Sequence, residues 1–220
     1  MKKIKTIKNK NLKKRIKKMG CLSSNTVKEL KTAVKGEKYR IIFMVGAETS
    51  PLESVAKKAS DDFRHSLINI NDLGQGKISN VLLNAVVKDI TNELQNNGTI
   101  KSSTLVKGVG LMLNTAKDKR VLIEGFPRNK EDLDEWNKQK SEDADTVCFF
   151  YVEVPDDKVN EAGIDNISKE KCRKFIEESK PYYESLASTL GDRFVKLDGT
   201  KNLEELNKDI SDVFVSKKLF

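Results

Sequence analysis

Met19-Gly20-Cys21-Leu22-Ser23-Ser24 places a glycine directly behind a methionine and a serine four residues further on, the pattern on which N-myristoylation acts. Cys21 lies beside that glycine, where a palmitoyl chain would convert a weak single-chain anchor into a stable one. Acylation requires the free amine of Gly20. Met19 is therefore expected to be the first residue in vivo, with residues 1–18 an extension, unless the Met-Gly-Cys run is an accident within a linker. Other reactive side chains are few. Cys21, Cys148 and Cys172 are odd in number and far apart, which argues against a disulfide framework or a zinc site and suits a reducing, cytoplasmic compartment. His65 is the only histidine, so neither His-based catalysis nor a multi-His metal site is expected, and no metal is assigned.

The net charge of +8 over 220 residues invites a nucleic-acid reading, but its distribution argues otherwise. Residues 1–18 hold ten Lys or Arg and no acid, which leaves 31 basic against 33 acidic side chains in the other 202 residues. The basic character belongs to this tail. It is read as solvated and disordered, although charge alone would also let it meet RNA, anionic lipid or an acidic protein surface. No nucleic-acid function is expected for the rest. With 37% hydrophobic and 34% charged residues, the chain suits a globular protein with a polar surface. No apolar run approaches the roughly 18–20 residues of a membrane span.

The elements that must position any site follow from periodicity. Residues 19–38 are polar and mixed, and read as a linker or a short helix carrying the acylation pattern. Tyr39 to Gly46 is a short apolar run closed by glycine, the signature of a parallel strand buried on both faces. Pro51 stands where a helix can begin, and residues 54–63 would form it. Residues 65–70, 120–124, 146–154 and 194–197 read as further strands. Helices are expected over 80–94, 103–116, 131–140, 169–190 and 202–215, with Pro181 ending or kinking the fourth of these. Trp136 reads as a partly buried anchor, Cys148 as core, and Tyr182 and Tyr183 as packing against the sheet. Strands alternating with helices from residue 39 to 220 predict a single α/β domain: a parallel five-stranded sheet with helices on both faces. Such sheets bind ligands at the carboxyl ends of their strands.

Four stretches then stand out in order: IIFMVGAETSPLES at Ile41–Ser54, Asn71-Asp72-Leu73, VLIEGFPR at Val121–Arg128, and Ser179-Lys180-Pro181-Tyr182-Tyr183 followed by FVKLDGTKNLEEL. Together they resemble the adenylate kinases and related nucleoside monophosphate kinases over roughly residues 40–215. The resemblance implies a P-loop NTPase-like sheet of adenylate kinase type and transfer of a phosphoryl group from ATP to AMP. That chemistry rests on positioning and on cancelling charge. The P-loop supplies it with glycines whose amides face the phosphates, followed by a lysine.

Against that pattern Gly46 still opens the loop, but Pro51 stands at the second glycine, Leu52 at the lysine, and Glu53 follows. Ser50 and Ser54 either keep a vestigial nucleotide contact or cap the following helix. In the monophosphate site, Ile70 replaces a threonine, Gln75 an arginine, and Asp132 the base-reading glutamine. Arg128 survives, as a phosphate contact or as a structural arginine at a strand end. Glu124 keeps a carboxylate where the family has an aspartate near the magnesium shell, which without phosphates does not make a metal site. The lid is short or missing, because Pro155–Ser168 contains no arginine; Lys171 or Arg173 falls near the family's last lid arginine.

The resemblance and its departures together imply a catalytically degenerate, adenylate-kinase-like pseudoenzyme with a structural or interaction role. No cofactor and no catalytic residue is assigned. Its expected partners are proteins of a larger assembly, ciliary or axonemal by analogy with the family. Membrane attachment through Gly20 and Cys21 would make it a lipoprotein. The alternative is an active or nucleotide-sensing nucleoside monophosphate kinase using ATP and magnesium, with Lys57 or Lys58 replacing the lost cations.

Overall fold

In the computed structural model, residues 37–47, 49–74, 81–161 and 165–220 are described. The basic tail, the Gly20–Cys21 acylation site and Gln75 lie outside them.

Five strands, β1 (Tyr39–Gly46), β2 (Ser66–Asn69), β3 (Arg120–Glu124), β4 (Ala144–Glu153) and β5 (Phe194–Asp198), form one parallel sheet in the order β2-β3-β1-β4-β5. Between and after them run eight α-helices among the described residues. They are α1 (Leu52–Asp62), α2 (Asn71–Gly74), α3 (Val81–Asn97), α4 (Ser102–Leu113), α5 (Lys130–Lys140), α6 (Asp156–Glu161), α7 (Asn166–Leu190) and α8 (Leu203–Ser216).

The apolar run of β1 needs no alternation because both of its faces are buried. Ile41, Phe43 and Val45 enter one core with Val86 of α3, Val109 of α4, Trp136 of α5 and Tyr183 of α7. Ile42 and Met44 enter the other with Val55 and Ala59 of α1 and Leu206, Ile210 and Phe214 of α8. The strand is thus the central wall between two hydrophobic layers. None of the helices among the described residues is long and apolar enough to cross a membrane.

Trp136 is deeper than expected, 1% exposed, with its ring 5.5 Å from both Phe43 and Phe126. The polar sequence of α5 conceals this, because its buried face is narrow. Pro181 neither ends nor divides α7, which continues to Leu190. The proline stands on the exposed face, where the carbonyl that loses its bond can meet water. Cys148 is core, as expected, and His65 is a buried structural residue whose Nδ1 lies 3.0 Å from Phe63 O and whose ring meets Phe214 edge-on.

Local signals fix the ends. Asn129 caps α5 by accepting from the Asp132 N–H, Asp165 caps α7, and Asn202 with Glu205 forms a capping box on α8. The α1 helix differs: Pro51 is its N-cap, without a side-chain hydrogen bond. This geometry sets the loop that follows β1.

Candidate functional site

Parallel strands leave all their carboxyl ends on one edge, so the loops after β1, β2 and β3 meet there. Gly46 ends β1. A Cβ at this position would lie 2.8 Å from Ser50 Oγ and 3.0 Å from Val152 O, too close for any side chain. The loop folds this tightly because Ser50 turns inward: its hydroxyl donates to Ala47 O (2.6 Å) and its N–H donates to the same carbonyl (2.9 Å). Ser50 therefore does not cap α1. Ser54 does not either, since it lies exposed within the first turn, beyond the capping position. Both capping expectations are corrected. Thr49 Oγ1 is buried in this loop without a hydrogen-bond partner. Glu53 is exposed in the first turn, where its charge complements the positive end of α1.

Glu124 ends β3, in register with Met44 of β1 on one side and Asn69 of β2 on the other. Its side chain is buried, 4% exposed, and Oε2 accepts no hydrogen bond. Burial, followed by the negative charges of Glu53 and Asp72, pushes its carboxyl up to about 7. Glu124 thus ends β3 under the negative charge of Glu53 of α1 and Asp72 of α2.

The turn after β3 is held by close approach and by one ion pair. Gly125 has φ of +79°, and a Cβ there would stand 2.9 Å from Ile70 Cγ1, so the GFPR turn needs its glycine. Arg128 directs its guanidinium at Asp132: Nε donates to Oδ2 (2.8 Å) and Nη2 to Oδ1 (3.0 Å). Nη2 also donates to Ile100 O (2.9 Å), and the Arg128 N–H donates to Asp132 Oδ2 (3.0 Å). Asp132 is fully buried. Burial raises its pKa, but the hydrogen bonds from Arg128 and Ser102 outweigh it and hold the carboxyl below its ordinary value. Arg128 is thus tied to the starts of α4 and α5. The signal for this lock was present in the sequence as Arg128 and Asp132 four residues apart at a helix start, though Asp132 reads there only as a lost glutamine.

Where a lid would follow β4, α6 packs down instead. Val159, fully buried, joins Val154 and Cys172 in a small core backed by Ile176. Lys169 Nζ donates to Asn160 O (2.9 Å), and Arg173 hydrogen-bonds the Asn160 side chain and Glu170. Of the two lid-arginine candidates, Arg173 is committed to pinning α6, and Lys171 is exposed on α7. The proposed substitute cations, Lys57 and Lys58, pair along α1 with Asp61 (2.5 Å) and Asp62 (2.9 Å).

Among the sequence candidates, the fold therefore gathers Gly46, Ser50 and Ser54 at the end of β1, and binds Arg128 into a separate network with Asp132. The influence of Glu53 and Asp72 on Glu124 is an outcome of topology. Glu53 and Asp72 are 71 and 52 positions from Glu124 in sequence, and the fold makes both charges bear on it.

No family model matches the chain. It is similar to the UMP-CMP kinase of Rattus norvegicus, 30% identical over 115 residues that cover 47% of this chain and 58% of that protein. The chain thus spans little more than half the length of that relative. The parallel five-stranded sheet with helices on both sides, together with this distant similarity, gives the chain a nucleoside-monophosphate-kinase-like fold.

Proposed function

We propose that this chain is a nucleoside-monophosphate-kinase-like domain that transfers no phosphoryl group and acts as a structural or interaction module for protein partners in a larger assembly. A ciliary or axonemal assembly is the first place to seek them. Acylation at Gly20 and Cys21 would dock the module on a membrane within the same reading.

The observation that carries the proposal is the loop between β1 and α1. Phosphoryl transfer needs cations and free amides there. Leu52 stands at the lysine position of the loop instead, and Glu53 follows it. The Ser50 amide donates to Ala47, and Pro51 has no amide to give. Residues in this arrangement do not fit a magnesium-bound triphosphate. The pinned α6 also supports the reading, since a closing lid has to move.

The distant similarity to a UMP-CMP kinase favours a second reading, a retained nucleoside monophosphate kinase. A coupled assay of the full chain with magnesium-ATP and AMP, UMP or CMP separates the two. Kinases of this chemistry turn over at about 1–100 s⁻¹, and loss of arginine contacts alone can cost ~10³–10⁵. The expected result is no turnover above background. A rate near 1 s⁻¹ with any of these acceptors would establish the second reading.

A further inference from the structure

We propose that the outer edge of β2 takes an extended segment of a protein partner as a sixth strand, and that Arg64 and Lys117 hold an acidic side chain of that segment at the amino end of β2. The inference rests on the reading that the chain is an interaction module, and names where a partner docks.

The sheet ends on β2, which pairs with β3 alone among the described strands. Along a strand, the N–H and C=O of successive residues point to opposite edges. The Ile70 N–H, just past the end of β2, donates inward to Glu124 O (3.2 Å). By alternation Ser66 and Ile68 also face β3, and the backbone groups of Leu67 and Asn69 face outward. Both residues are half-buried, on a groove of about 680 Å³ that all four residues of β2 line. Recessed backbone donors and acceptors call for partners, and another extended chain repeats them at the same two-residue spacing.

The walls of the groove select the occupant. Leu67 packs on the core that holds Val55 and Ala59 of α1, and Ile68 on the opposite core with Val109 and Met112 of α4. The edge is therefore recessed between two helices. A second copy of this chain would bring its own α1 and α4 to the same edge and set helix against helix, whereas a segment free of flanking helices enters between them. Met112 and Ala116 give the groove an apolar wall, and Ser60 with the Lys57–Asp61 pair gives it a polar one. Side chains of an added strand alternate between these walls, which asks for an apolar residue at every second position.

Charge fixes one end of the segment. The Asp118 N–H donates to Ser66 Oγ (3.3 Å) and draws the loop after α4 onto the start of β2. Arg64, Lys117 and Arg120 are the cations there. Of the acids, Asp118 is held by Arg120 (3.2 Å) and Asp62 by Lys58 (2.9 Å). Arg64 and Lys117 are exposed and enter no ion pair among the described residues. Asp72 lies at the other end of the groove, beyond Asn69. A carboxylate of the partner segment is thus favoured beside Arg64 and Lys117.

The test is fluorescence anisotropy of two labelled hexapeptides, Glu-Val-Thr-Val-Thr-Val and its reverse, titrated with the full chain at fixed ionic strength. One of them should bind saturably with a dissociation constant below about 1 mM. Binding of the first makes the added strand parallel to β2, and binding of the reverse makes it antiparallel. N-methylation of alternate amides along one edge of the bound peptide should weaken binding about tenfold or more, and along the other edge should not. The double variant Arg64→Gln with Lys117→Gln should weaken it about fivefold, and Lys138→Gln, an exposed change on α5, should leave it unchanged. No binding of either peptide, equal effects of N-methylation on the two edges, or undiminished binding by the double variant overturns the proposal. A dimer of the chain whose formation excludes the peptide also overturns it, by showing that a second copy covers the edge. The coupled kinase assay on the same sample separates the two failures. Turnover contradicts the interaction-module reading itself, whereas no turnover and no peptide binding removes this inference alone.

Discussion

Replacing Arg128 with alanine is expected to destabilise the folded chain by about 3–5 kcal/mol, because it strands the fully buried Asp132 carboxylate without its cation. For a domain of this size that is a fall in Tm of roughly 10 °C. The single change removes two hydrogen bonds to Asp132 and one to Ile100 O, which together tie α5 to the start of α4. Arg128→Lys should fall between, since an ammonium keeps the charge but cannot supply the fork. Arg128→Met combined with Asp132→Leu should recover most of the loss, because a buried pair replaced by apolar side chains is often neutral or stabilising. Urea denaturation of the four proteins measures this. A phosphate-binding arginine would behave differently: its alanine variant would keep its stability and lose only ligand effects.

Glu124→Gln is expected to act in the opposite direction, stabilising the chain at pH 8 by on the order of 2–3 kcal/mol. Burial and the facing charges of Glu53 and Asp72 raise the Glu124 carboxyl from 4.5 to about 7. The folded state therefore holds this proton more tightly than the unfolded chain does. Stability from this group is full below about 4.5, falls as pH rises through about 7, and is level above. Glutamine carries no charge at any pH, so the variant should lack the decline. Denaturation at several pH values between 4.5 and 8 should give curves for the two proteins that meet at the acid end and separate toward the alkaline end. Parallel curves would mean that Glu124 is solvated or paired in the folded state.

Both expectations depend on positions whose residue types were evident in the sequence but whose environments were not. The β1 strand was legible to the residue, because an apolar run buried on both faces leaves little freedom in its ends. So were the sheet class and the turn at Gly125, where a glycine and a proline follow a short apolar strand. The Arg128 role was not. An arginine at a strand end reads equally as a ligand contact or a brace, and only the direction of its guanidinium decides. Ser50 illustrates the same limit: its type suggested a helix cap, but the turn on Ala47 takes its hydroxyl and its amide together. Trp136 was underestimated because a mostly polar helix can still bury one large ring among Phe43 and Phe126. The short α6 went unread for a related reason: one residue, Val159, does most of its packing and gives no periodicity to detect.

The central claim is that the strand ends of this fold no longer receive nucleotide phosphates, and thermal melting of the full chain with millimolar magnesium and ATP, ADP, AMP, UMP or CMP tests it most directly. A nucleotide at about 100 times its dissociation constant would stabilise the folded state by roughly 2.7 kcal/mol, a rise in Tm of about 5–10 °C. The account predicts no rise with any of the five. A rise of several degrees with one of them would contradict it, and would mean that Glu53 and Glu124 leave room for a phosphate after all.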